Sequence, residues 1–288
     1  LNYNYGAVWP FLTSWVTTAL YKHHMPLQAY SLLMSTARHT FDNALGCITE
    51  VFSGTHNVWP QEAVSQQGFS SAGAVLPFVR GLLGLEGNAL DKFVSFAPHF
   101  PANWDHVSID NFKIGKAVFS FDYTRDKNKI IVSVKAKNAG EYRLWFAPAL
   151  GAGTHIQSLV MDGHPFDFKC SEAAQVVQPF LDIPLKKKSM HIEISFLLSF
   201  EIFPLPQKSK VGDRNKGLKI ISFHRESSKI ELILEGLAGS TYQLGVLNSE
   251  TVESLEGAEI SKGNLRFVMP QGKNSEFVSH KVIIQVKQ

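Results

Sequence analysis

Apolar residues recur at every third or fourth position through the first part of the chain. One set predicts an amphipathic helix that Pro10 begins, since the first helical turn needs no N–H group from it: Val8, Phe11, Leu12, Trp15, Val16, Ala19 and Leu20. A second set predicts a helix that starts at Pro26: Tyr30, Leu33, Met34, Ala37 and Phe41. A third predicted helix runs from about residue 61 or 66 to residue 85. It is apolar on nearly all sides, which is typical of a buried helix.

After residues 96–101 the pattern changes to alternation of apolar and polar residues, which predicts strands. The predicted strands of a first unit are 117–123, 129–135, 142–146, 155–161, 175–181 and 190–196. Residues 204–210 indicate a linker. The predicted strands of a second unit are 218–224, 229–234, 241–247, 264–269 and 280–286.

These patterns predict a mixed fold, α then β, in three parts. Residues 1–98 form a helical part, residues 99–203 a β-sandwich domain and residues 204–288 a second small β domain. The loop at 42–60 is too long for a simple connection inside a helical bundle, and loops of this length are often functional.

Composition excludes several classes of function. The net charge of +3 over 288 residues does not indicate nucleic-acid binding. No apolar run approaches the roughly 20 residues of a membrane span. The two cysteines, Cys47 and Cys170, have no metal-ligand spacing and are interpreted as buried free thiols, with a disulfide as the alternative. We expect no metal and no cofactor.

The chemistry expected of a carbohydrate site lies in the loops of the helical part. Glu50 is an isolated carboxylate suited to proton transfer. Tyr5, Trp9 and Trp59 can stack on the apolar face of a sugar ring, and the Gln67 amide can bond sugar hydroxyls. The alternative for Glu50 is a helix cap or a lysine partner, and the alternative for each aromatic residue is the core.

Three motifs together resemble the six-hairpin (α/α)6 glycosidases, above all the amylo-α-1,6-glucosidase, or glycogen-debranching-type, group. They are Tyr5-Gly6-Ala7-Val8-Trp9-Pro10, Glu50-Val51-Phe52-Ser53-Gly54 and Gln66-Gln67-Gly68-Phe69-Ser70, against family patterns of G-x-V-W-P, P-E-x-F-x-G and Q-A-W-S. The resemblance covers residues 3 to about 104. In the third motif Gly68-Phe69 replaces alanine-tryptophan, which puts the expected aromatic contact in doubt.

The resemblance implies that residues 1–98 are the C-terminal helices of an (α/α)6 toroid, followed by two antiparallel β-sandwich-like units. It implies a glycoside hydrolase, inverting, that acts on an α-glucoside or a related oligosaccharide. Glu50 would be the general base that activates water. The general acid would come from a missing N-terminal part of the same enzyme, so the chain alone would be catalytically incomplete.

Several alternatives stay open at this point. The helical part could be a small bundle, complete as it stands, packed on the β domain. The protein could be a non-catalytic carbohydrate-binding or structural module, or a rhamnosidase, trehalase-like enzyme or phosphorylase. Glu62 is the second candidate acid, interpreted as a residue that caps the third helix, and Asp42 is interpreted as ending the second.

Overall fold

The helices are short and lie near the start of the chain. The computed structural model describes residues 3, 5–42 and 46–287. Its α-helices are α1 (Pro10–Lys22), α2 (Pro26–Ala37) and α3 (Gly68–Pro77). Proline occupies the first turn of α1 and of α2, as the sequence predicts. A 3₁₀ turn (Arg38–Phe41) continues α2, a π turn (Phe78–Leu82) continues α3, and a second 3₁₀ turn spans Ser249–Thr251.

Most of the regular structure is strand. Two short strands lie among the helices: β1 (Ala7–Val8) and β2 (Phe52–Ser53). Twelve more form the first β unit: β3 (Leu85–Asn88), β4 (Phe93–Phe96), β5 (His106–Ile114), β6 (Ala117–Asp126), β7 (Lys129–Lys137), β8 (Arg143–Phe146), β9 (Leu150–Gly151), β10 (Ile156–Met161), β11 (His164–Pro165), β12 (Lys169–Ala173), β13 (Val176–Pro184) and β14 (Ser189–Phe196).

The second β unit contains the remaining strands of the described chain. They are β15 (Glu201–Pro204), β16 (Lys219–Glu226), β17 (Lys229–Leu237), β18 (Thr241–Leu247), β19 (Val252–Glu256), β20 (Glu259–Ser261), β21 (Asn264–Val268) and β22 (Phe277–Val286). Alternating apolar residues explain the central strands of both units. In β6, for example, Phe119, Phe121 and Tyr123 are buried and Asp122 and Thr124 are exposed.

Five sheets organise the described strands. The first unit pairs a sheet of order β11-β10-β14-β7-β6-β5 with one of order β12-β13-β8-β4-β3, in which β9 also pairs with β13. The second unit has sheets of order β15-β18-β21-β20 and β16-β17-β22-β19. All these pairs are antiparallel except β4 with β8. Strands β1 and β2 form a separate two-stranded sheet.

The predicted fold class, the C-terminal helices of an (α/α)6 toroid followed by β units, is wrong. The described structure is 47% strand and 17% helix, with three short α-helices. Residues 85–98, assigned by sequence to the helical part, supply β3 and β4, and β4 pairs with β8. The physical reason is local: Gly84 has a φ of +60° that ends the helical run, and the alternating Phe93-Val94-Ser95-Phe96 then pairs as strand.

The helices are attached to the β units by the inner face of α2. Ala29, Tyr30 and Leu33 belong to the same buried core as the phenylalanines of the first unit. Leu27 belongs to the core of the second unit. The sequence predicts that the third helix is buried, but α3 exposes Phe69, Val75 and Leu76. The helical part therefore packs on the β units through one face and leaves an apolar face open.

Candidate functional site

The Glu50 carboxylate is held by donors from three segments of the chain. Its Oε1 accepts a hydrogen bond from Gln67 Nε2 at 3.4 Å, and its Oε2 accepts one from the Val64 N–H at 3.3 Å. The Tyr3 hydroxyl also hydrogen-bonds to this carboxylate. Glu50 is half-buried, so its carboxylate is fixed in position and still reaches solvent.

Buried neighbours explain why Glu50 points away from the core. Ile48, Val51 and Phe52 are all at most 5% exposed and anchor the loop on both sides of it. The Glu50 N–H donates to the Val64 carbonyl at 2.9 Å, which closes the loop onto itself. Apolar anchors and a main-chain hydrogen bond therefore fix the backbone of the Glu50 loop. The Glu50 side chain is left to make other contacts.

Gln67 joins the Glu50 loop to the start of α3. Its Oε1 accepts from the Phe69 N–H at 3.4 Å, so it is the N-cap of the helix, while its Nε2 donates to Glu50. The Gln67 N–H donates to the Ile48 carbonyl at 3.0 Å. One side chain thus fixes both the helix terminus and the carboxylate.

Strands β1 and β2 bring the Trp9 motif beside the Glu50 loop. Ala7 pairs with Ser53 and Val8 with Phe52, in antiparallel register. Trp9 follows β1 directly, is half-buried, and meets the Tyr3 ring edge-on with 5.1 Å between centroids. Because Tyr3 also bonds Glu50, Trp9, Tyr3 and Glu50 form one connected group.

The other two aromatic candidates lie in different environments. Trp59 is half-buried and packs edge-on against Phe52, with 5.9 Å between centroids. Tyr5 is 78% exposed. Phe69, in the position where the family motif has tryptophan, is 66% exposed and lies 5.3 Å from Phe11, so an aromatic surface is present there after all.

Asp42 and Glu62 are the acids considered beside Glu50. Asp42 bonds other residues, and Glu62 lies away from the start of α3. Asp42 Oδ2 is 2.7 Å from His39 Nδ1 and accepts from Asn57 Nδ2 at 3.2 Å, which gives it a structural role. The interpretation of Glu62 as a cap of the third helix is wrong, because α3 begins at Gly68 and has no acidic residue in its first turn. Glu62 is an exposed turn residue.

Tyr3 is the contact of Glu50 that sequence reasoning missed. The hydrogen bond to Glu50 raises the pKa of the Tyr3 hydroxyl, which stays protonated and can donate. The alternation of Tyr3 and Tyr5 before Gly6 was the available signal, because both aromatic residues flank the same motif.

In the described part of the chain, no group of three or more histidine, cysteine, aspartate or glutamate side chains is arranged to hold a metal ion. The helices of that part are all too short or too polar to cross a membrane. Cys47 and Cys170 are free thiols, as predicted, but the prediction that they are buried is wrong, because Cys47 is half-buried and Cys170 is exposed.

Comparison with known proteins gives only distant structural similarities. No family model matches the chain, and no curated protein matches it. A GH127 β-L-arabinofuranosidase from Geobacillus stearothermophilus T6 is 10% identical over 95% of this chain, with a TM-score of 0.33. A chondroitin AC lyase from Streptomyces coelicolor A3 is 9% identical over 63% of this chain, with a TM-score of 0.20.

This chain spans less than half of either structure, 46% of the arabinofuranosidase and 35% of the lyase. Both names denote proteins that act on carbohydrates. At these TM-scores the similarity does not indicate a function for this chain.

Proposed function

We propose that the chain is part of a glycoside hydrolase in which Glu50 is the catalytic base. The observation that carries the proposal is the fixed, solvent-reaching Glu50 carboxylate beside aromatic side chains. Three donors occupy three of the four lone pairs of the carboxylate, which leaves one lone pair for a water molecule. A carboxylate fixed in this way can orient that water and take its proton.

The chemistry that this geometry supports is inverting hydrolysis. In that reaction the Glu50 carboxylate removes a proton from water while the water oxygen attacks the anomeric carbon. The glycosidic oxygen leaves from the opposite face with a proton from an acid about 6.5 to 9.5 Å from the base. We propose that this acid belongs to another part of the same enzyme, so the isolated chain would not turn over substrate.

Sugar contacts are assigned to the aromatic residues and the amide around Glu50. Trp9, Tyr5 and Trp59 would supply ring faces for stacking on the apolar face of a sugar. Gln67 would use its free acceptor and donor capacity for hydroxyls. An α-glucoside or a related oligosaccharide is the substrate that the motif resemblance suggests.

The test is Glu50→Gln in the whole protein to which this chain belongs, assayed on a panel of α-glucosides and arabinosides. The amide keeps the shape and can still bond Gln67, but it cannot accept the proton. We expect kcat to fall about 10²- to 10⁴-fold with KM and the melting temperature little changed.

Glu62→Gln is the matched control, because Glu62 is an exposed glutamate of the same segment. Equal turnover by Glu50→Gln and the parent would exclude Glu50 from the chemistry.

A non-catalytic carbohydrate-binding module is the second candidate. It is favoured by the predominance of strand and by the two sandwich-like units that make up most of the described chain. The same panel separates the two functions. A binding module would hold sugars without any turnover by the whole protein, and Glu50→Gln would then change affinity instead of rate.

A further inference from the structure

A cleft of about 360 Å³ lies where the two β units meet, apart from the Glu50 loop. Its walls come from the loop after β9, from β12, from the segment after β14 and from the end of β16. Small-molecule sites commonly have volumes of about 300 to 1,000 Å³ and favour the junctions between domains. The cleft is therefore large enough for a molecule the size of a sugar.

Arg225 is the fixed cation of this cleft. Its Nη1 donates to the Ala152 carbonyl at 2.7 Å and its Nε donates to the Ser227 carbonyl at 3.2 Å. The bond to Ala152 joins the two β units, and both bonds together leave the guanidinium in one orientation. Burial, the largest effect, lowers the pKa of Arg225, while Glu172 and Glu201 raise it.

Gly153 makes room for the guanidinium. It has a φ of +74°, and a Cβ atom at this position would lie 2.3 Å from Arg225 Nε and Cζ. The loop therefore requires glycine both for its conformation and for the space that Arg225 occupies. A substitution at Gly153 would displace the guanidinium from the cleft wall.

Glu172 supplies the opposite charge. One of its carboxylate oxygens accepts from the Gly153 N–H at 3.2 Å, and the side chain is otherwise exposed. A fixed arginine and a fixed glutamate in one cleft give a formal charge near zero. Such a pair offers donors and acceptors to hydroxyl groups, and it gives no net attraction for an ion.

Two adjacent leucines form the apolar part of the wall. Leu197 and Leu198 line the cleft and are 49% and 42% exposed. Leucine pairs at such exposure leave apolar surface in water, which a ligand with a carbon face would cover. The wall thus combines apolar surface with paired polar groups.

We propose that this cleft binds a neutral sugar. Arg225 donates to its hydroxyls, Glu172 accepts from them, and the two leucines contact the carbon face of the ring. The site does not include Glu50, so the proposal is independent of the proposed hydrolase function.

The experiment is a ligand-observed NMR titration of the chain with D-glucose, D-galactose and L-arabinose, with D-glucuronate as the anionic comparison. We expect saturable binding of at least one neutral sugar. Arg225→Met keeps the aliphatic packing and removes the donors, so it should weaken that binding about tenfold or more. Arg266→Met is the matched control, because Arg266 is an exposed arginine on β21 that pairs with Glu259.

A second variant keeps the test valid if Arg225→Met unfolds the protein. Leu198→Ser changes an exposed side chain and should also weaken binding, with the melting temperature retained. The proposal is overturned if no neutral sugar binds, if only glucuronate binds, or if Arg225→Met and Leu198→Ser both bind as tightly as the parent.

Discussion

At the scale of single residues, the structure has a buried histidine that ties stability to pH. His99 is 8% exposed, and its Nδ1 donates to the Gly81 carbonyl at 3.2 Å. Its Nε2 is buried without a hydrogen-bond partner among the described residues, as is the neighbouring Tyr21 hydroxyl. Burial, with a smaller effect from His24, lowers the pKa of His99 to about 4.

We therefore expect stability to fall as the pH drops from about 6.5 to about 4. Above this window His99 is neutral in both the folded and the unfolded chain. Within it the unfolded chain binds a proton at His99 and the folded chain does not, so the free energy of unfolding decreases by on the order of 3 kcal/mol. Urea denaturation across the window measures the loss.

The control for this prediction is a pair of substitutions. His99→Gln should flatten the pH dependence, whereas His164→Gln, at an exposed position on β11, should leave it as in the parent. A parent protein as stable at pH 4 as at pH 7 would contradict the account of His99.

Sequence reasoning found some of these residues and not others. Glu50 and Gln67 were paired by their motifs, and the structure brings them into contact. Tyr3 was missed because it precedes the first motif, and His99 was missed because no motif pairs it with Gly81 and its role comes from tertiary packing. Whether Glu50, Tyr5, Trp9, Trp59 and Gln67 form a sugar site stays a prediction.

At the scale of elements, the alternation of apolar and polar residues was the reliable signal for strands. Strands β6, β7 and β17 follow the predicted ranges closely because each has one buried face. Strands β3 and β4 were missed because they adjoin a helical segment and are only four residues each. Short apolar runs do not distinguish helix from strand.

The outer face of α1 leads to a second prediction. Leu12, Trp15 and Val16 share this face and are 50%, 57% and 53% exposed. We propose that the rest of the enzyme covers it, since exposed apolar patches commonly mark missing partners. The chain alone should therefore bind a hydrophobic dye and self-associate.

The measurement compares Trp15→Gln/Val16→Gln with the parent chain. Dye fluorescence and self-association should fall, and the melting temperature should hardly change, because both side chains are largely in water already. Leu33→Ala, in the core at 1% exposure, should cost about 2 to 5 kcal/mol instead. A large loss of stability in the α1 variant would show that this face is part of the core.

At the scale of the whole molecule, a buried ion pair joins the two β units. Arg125 on β6 donates to Glu201 on β15, and the two side chains are 6% and 7% exposed. The Arg125 guanidinium also lies over the Phe196 ring at 5.6 Å. The contact links β6 of the first β unit to β15 of the second. The domain boundaries themselves stay a prediction.

Removing one partner of this ion pair should lower the stability of the protein. Glu201→Gln leaves the Arg125 charge buried without a counter-charge, which we expect to lower the free energy of unfolding by about 3 to 5 kcal/mol. The double variant Arg125→Met/Glu201→Leu should recover most of the loss, because it removes both charges. Urea denaturation that shows less than about 1 kcal/mol for Glu201→Gln would contradict a structural role for the pair.

The toroid prediction failed at this scale for a physical reason. Motifs in three loops describe a local site, and they do not determine how many helices surround it. The described chain has only three short α-helices, packed on β units through α2. The motifs therefore predicted the contact between Glu50 and Gln67 and did not predict the architecture.

The most direct test of the central claim, that Glu50 activates the attacking water, is chemical rescue in the whole protein. Glu50→Ala removes the base, and added azide can attack the anomeric carbon without one. We predict that azide restores turnover and yields a glycosyl azide of configuration opposite to that of the substrate, read by NMR. A variant that azide does not accelerate, or a product of retained configuration, would contradict the role of Glu50 as the base of an inverting hydrolase.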